Sequence, residues 1–128
     1  MNRLLTLSAA IEALAGLPLL VVPSVVVWLL LGGEISGPGI PVARVAGVAL
    51  LALAVACWLA AGDASSGAAR GLVAAMLLYN LGTVAIFGAV GTRSQSIGIA
   101  LWPALILHLA ITVWCITVLL KKPAKAAK

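Results

Sequence analysis

A chain of 128 residues that is 64% hydrophobic and 9% charged cannot coat a soluble globule, which carries roughly 25% charged residues. The formal net charge of +5 suggests nucleic acid until its placement is read. Lys121, Lys122, Lys125 and Lys128 supply half of the eight basic residues, in a terminal run KKPAKAAK without aromatic platform or folded basic face. The mean hydropathy of +1.25 instead places the chain among helical membrane proteins, in one compact bundle with no separate soluble domain.

Three Gly-rich polar breaks, at 32–41, 61–70 and 91–96, leave apolar spans at about 4–31, 42–61, 71–90 and 97–120. Each is near or above the ~20 residues that cross the hydrocarbon as a helix. β-branched runs such as VVPSVVVW do not argue for strands here, because an isolated strand cannot satisfy its backbone in lipid. The first span begins with Arg3 and an apolar run, in the manner of a signal peptide. It is too long and shows no cleavage pattern, so it is read as retained. Pro18 and Pro23 predict a kink in it, and Pro103 sits near the start of the fourth span, where it costs little.

With four spans, both ends lie on one side together with Arg3, Arg70 and the four tail lysines. The other side holds only Arg44 and Arg93. The positive-inside rule then predicts cytoplasmic termini, with Trp28, Trp58 and Trp102 in interfacial belts. The tail suits anionic lipid headgroups, at about 1 kcal/mol per basic residue near the surface. Arg44, opening the second span from the outer side, anchors there.

Close approach of helices in lipid needs small residues at four-residue spacing. Ala9 and Ala13, Ala52, Ala56 and Ala60, and Gly71 and Ala75 form such rows. They fit a four-helix bundle and equally a homo-oligomer or a larger membrane complex. Cys57 and Cys115 lack metal or redox spacing and are read as reduced packing residues.

One carboxylate interrupts the first span. At ~1.5 Å per residue, Glu12 lies about 12 Å in from the terminal side, Asn80 about 15 Å and His108 about 18 Å. Thr112 returns to the depth of Glu12 on the face of His108, and Tyr79 adjoins Asn80. Glu12, Tyr79, Asn80, His108 and Thr112 therefore form a candidate intramembrane polar site. An ionised carboxylate in hydrocarbon costs at least ~2.5 kcal/mol, so Glu12 should face the bundle and find a partner or a proton. A Glu12–His108 pair could carry one exchangeable proton. Against this stand a structural hydrogen bond and an interfacial Glu12 that snorkels or pairs with Arg3 or Arg70. For His108 the plain alternative is a bond to Asn80 or to a backbone carbonyl, and Asn80 and Thr83 serve as helix–helix glue. Asp63 and Arg70 flank a short loop as a weak surface pair at most. A single histidine cannot give bis-histidine haem ligation within one chain. No catalytic, phosphate-binding or metal motif appears, so no catalytic residue and no cofactor is predicted.

GLPLLVVPSVVVWLL, followed by GPGIPVARVAGVALLALAVACWLAA with its Arg44-x-x-Gly47 start, resembles the DoxX-like group of small four-helix bacterial membrane proteins over residues 11–61. The resemblance implies a four-span bundle and an accessory role beside membrane redox enzymes, and it transfers no catalytic residue. The chain is thus read as an all-α, four-helix integral protein of a bacterial cytoplasmic membrane. Its leading role is accessory or interaction protein rather than enzyme. A proton-coupled small-molecule transporter acting as a dimer through Glu12 comes second, and a quinone- or haem-associated redox subunit third.

Overall fold

The computed structural model describes residues 1–94 and 96–121. Lys122, Lys125 and Lys128 of the basic tail lie outside the described residues. Five helices follow in order: α1 Asn2–Val21, α2 Pro23–Leu31, α3 Gly39–Gly62, α4 Gly67–Arg93 and α5 Leu101–Leu120. Four of them, α1, α3, α4 and α5, are long and apolar enough to cross a membrane. A helix satisfies its own backbone, which is what lipid demands of such segments.

The first span is not one kinked helix but two. The Val22 backbone N–H still bonds the Pro18 carbonyl, at 2.8 Å. Val22 then leaves helical geometry, at φ −127° and ψ 58°, as a residue before proline tends to do. Pro23 restarts the chain as the first residue of α2, where its missing N–H is no loss. Pro18, by contrast, is absorbed within α1. The short α2 ends at Gly32, whose left-handed φ of 71° closes it. Ser66 opens α4 by accepting the Ala69 N–H at 3.1 Å.

Packing divides the bundle into two tight pairs, α1 with α3 and α4 with α5. α3 and α5 each touch both α1 and α4, which face one another across the bundle. The α1–α3 crossing is made at Gly16 and Gly47. A Cβ on Gly16 would stand 2.9 Å from the Gly47 carbonyl oxygen, and one on Gly47 would stand 2.7 Å from the Leu20 nitrogen. The alanine and glycine rows behave differently from expectation. Ala9 is buried, but Ala52 and the Gly71–Ala75 row face outwards, and nothing lies near Gly71. The row on α4 is therefore not what holds this bundle.

At the end bearing the termini, Arg70 donates to the Leu119 carbonyl at 2.9 Å and the Lys121 carbonyl at 3.2 Å. It thereby closes the C-terminal end of α5 and does not pair with Asp63, whose carboxylate accepts from Ser65. At the far end, the Gly98 and Ala100 N–H groups donate to the Leu30 and Leu29 carbonyls of α2. A side chain on Gly98 would overlap the Leu29 carbonyl.

The two halves of the bundle differ in density. The buried apolar cluster lies entirely towards the terminal end: Leu4, Leu5 and Ala9 on α1, Cys57 on α3, Val73 and Met76 on α4, Ile111 and Cys115 on α5. Beyond it the helices enclose a cavity.

Candidate functional site

The cavity has a volume of about 530 Å³, within the ~300–1,000 Å³ range of small-molecule pockets. All five helices line it, and its walls are aliphatic, from Ile11 and Leu14 on α1 to Ala104 on α5. Leu14, Ile86 and Leu107 on its rim are exposed on the outer surface of the bundle. The cavity therefore reaches the face that lipid would cover.

Polar groups meet only at its floor, where the dense half of the bundle ends. These are Glu12 on α1, Tyr79 and Thr83 on α4, and His108 on α5. The chain has one tyrosine, one phenylalanine and one histidine, and Tyr79, Phe87 and His108 all line this cavity. Each aromatic ring stands edge-on to the imidazole. The centroid distances are 5.6 Å for Tyr79 and 6.0 Å for Phe87, favourable geometry for π-systems.

Glu12 is 1% exposed. It is thus buried inside the bundle, and Arg70 donates to the α5 carbonyls instead. The Tyr79 phenol faces its carboxyl group, yet its Oε1 has no hydrogen-bond partner among the described residues. One turn earlier on α1, the Ser8 hydroxyl is equally buried and equally without a partner there. An unpaired buried acceptor costs roughly 1–3 kcal/mol. That cost is relieved if something else binds.

Asn80 is fully buried and fixes His108. Its Nδ2 donates to the Met76 carbonyl at 2.8 Å, and a carbonyl can only accept. Oδ1 must therefore be the amide atom turned to His108, 2.7 Å from Nδ1. Since Oδ1 also only accepts, Nδ1 carries the proton and donates it. The neutral imidazole is left with Nε2 as an acceptor. Thr83 gives its hydroxyl proton to the Tyr79 carbonyl at 3.0 Å and keeps an acceptor oxygen.

The five residues singled out from sequence do not all converge. Glu12, Tyr79 and His108 share the cavity floor, with Asn80 immediately behind His108. Thr112 is buried but turns back on its own helix, donating to the His108 carbonyl at 2.8 Å, a habit of threonine in apolar helices. Arg44 is exposed near the start of α3, apart from the site. Phe87 and Thr83 complete the floor and wall. Residue spacing points to both, since 83 and 87 continue the face of 79 at helical steps.

No family model, no curated protein and no solved structure matches the chain. Fold and composition define the class: a small multi-pass membrane protein, an all-α bundle with four long apolar helices. What it does must be read from the cavity.

Proposed function

We propose that this protein binds a small, mainly apolar molecule inside the bilayer, with the polar head of that molecule on the floor formed by Glu12, Tyr79 and His108. One observation carries the reading. The buried carboxylate and the chain's single tyrosine, phenylalanine and histidine line one cavity. A bundle needing only to pack would have no use for a carboxylate with an unpartnered oxygen there, because an intramembrane ionisable group is costly and marks a pathway or a site. Such binding is the first requirement of the proton-linked transporter suggested by Glu12. With cytoplasmic termini in a bacterial membrane, the site would be reached from the bilayer through the rim at Leu14 and Leu107. A redox subunit holding a quinone would use the same space. Ala104→Phe should fill the cavity. Titration of micelle-held protein with 1-octanol, followed by the nitrogen resonances of His108, should give a saturable shift that this variant loses. Absence of any saturable shift in the wild-type chain, with 1-octanol and with n-octylamine alike, overturns the proposal.

A second reading, the accessory or interaction protein, is favoured by the outward row of Gly71 and Ala75, which has open space before it. The DoxX-like resemblance of residues 11–61 supports the same role from sequence alone. Gly71→Leu should leave the fold intact and abolish any self-association seen by crosslinking in membranes.

A further inference from the structure

We infer that the ligand's polar head is a protonated amine, so that the cavity selects lipophilic ammonium compounds. The inference rests on the cavity being a ligand site and adds the chemical class of the ligand.

The floor of the cavity is short of protons. The His108 Nδ1 proton goes to Asn80, whose amide is turned to Met76 and His108 and does not line the cavity, and the Thr83 hydroxyl proton goes to the Tyr79 carbonyl. Three acceptors are left at the floor: the unpartnered Oε1 of Glu12, Nε2 of His108 and the Thr83 oxygen. With Glu12 ionised, the donors offered in return are the Tyr79 phenol and the weakly donating Cys57 thiol. A ligand head that completes this set must bring N–H or O–H groups, and several of them.

Charge then chooses between the two. The titratable groups facing Glu12 are Tyr79 on α4, Cys57 on α3 and His108 across the cavity floor on α5. Among the described residues no lysine or arginine lines the cavity. The protein itself thus supplies no permanent positive charge to a carboxylate that is 1% exposed. An ionised group so placed needs a counter-charge. An ammonium head provides that charge and up to three donors together, whereas a hydroquinone or alcohol provides donors alone. The aliphatic walls fit the remainder of the molecule. Where Glu12 is protonated before binding, the exchange balances as one proton released for one ammonium taken up.

The test compares n-octylamine with 1-octanol, equal in chain length, on the full protein in micelles. Octylamine should bind about tenfold or more tightly than octanol, the ~1.4 kcal/mol that a charge-assisted bond to a buried carboxylate supplies at least. Glu12→Gln should erase that preference, with an unchanged His108 spectrum certifying the fold. Saturable octanol binding with no preference for the amine, or a preference that survives in Glu12→Gln, overturns the inference while the cavity remains a ligand site. Failure of both probes to saturate overturns both readings. A measurement on the wild-type chain stands independently of the variant. Its glutamates are Glu12 and Glu34, so selective labelling of the carboxyl carbon gives two resonances. In the octylamine complex the Glu12 signal should fall at a carboxylate position, and a carboxylic-acid position there overturns the inference.

Discussion

Asn80 holds His108 in one tautomer: Oδ1 of the amide lies 2.7 Å from Nδ1 of the imidazole, while the amide nitrogen is bound to the Met76 carbonyl. An amide tied at both ends cannot turn over without setting two carbonyl oxygens against each other. Nitrogen-15 spectra of the single histidine should therefore show a protonated Nδ1 and an unprotonated Nε2 near neutral pH. In Asn80→Ala the tautomers should mix. A wild-type spectrum with the proton on Nε2 would contradict the assignment.

The Gly16–Gly47 crossing should tolerate no added atom. Gly47→Ala places a Cβ against the Leu20 backbone, and backbone cannot step aside as a flexible side-chain end can. A loss of about 1–3 kcal/mol is expected, read from denaturant unfolding in mixed micelles. Gly71→Ala, with open space around it, should change stability little and serves as the control.

Replacing Glu12 should make the protein more stable. Methionine is close in volume and brings no unpaired acceptor, so Glu12→Met should raise unfolding stability by about 1–3 kcal/mol. Binding of amine would be lost in the same variant, as expected where a site holds groups that the fold alone would not choose. Destabilisation by this substitution would mean that Oε1 has a partner.

Arg70 closes the last turn of α5 from a distance of about fifty residues in sequence. Arg70→Met keeps the aliphatic stem and removes both bonds to the Leu119 and Lys121 carbonyls. The cost should be about 1 kcal/mol, since the site is partly solvated and the helix end also loses a favourable charge. Hydrogen exchange should quicken in the last turn of α5 and nowhere else.

Much of this architecture is legible in the sequence because the bilayer makes the rules local. The apolar lengths that announce four spans depend on nothing beyond the segment itself. Depth is nearly as local. A fixed rise per residue brings Asn80 and His108 to neighbouring levels, and they are hydrogen-bonded. What the sequence withholds is decided between segments. Pro18 and Pro23 look alike as interruptions, yet only Pro23 begins a new helix, which the far-end backbone at Gly98 and Ala100 then secures. Gly16 and Gly47 are two small residues among many in an alanine-rich chain, and no local signal says which pair will meet. Thr112 stands at the right depth and on the right face, but its own helix offers the nearer acceptor.

The cavity lies where two tightly packed helix pairs adjoin only lightly. Whatever occupies it touches all five helices at once and acts as a brace between halves that hold each other weakly. Occupancy and resistance to heat are then one quantity seen two ways: a ligand at a hundred times its dissociation constant adds about 2.7 kcal/mol to folding. The melting temperature of the purified protein can therefore sort a library of small molecules without any assay of function. If the cavity is the ligand site proposed above, the compound that stiffens the bundle most shows which chemistry it accepts.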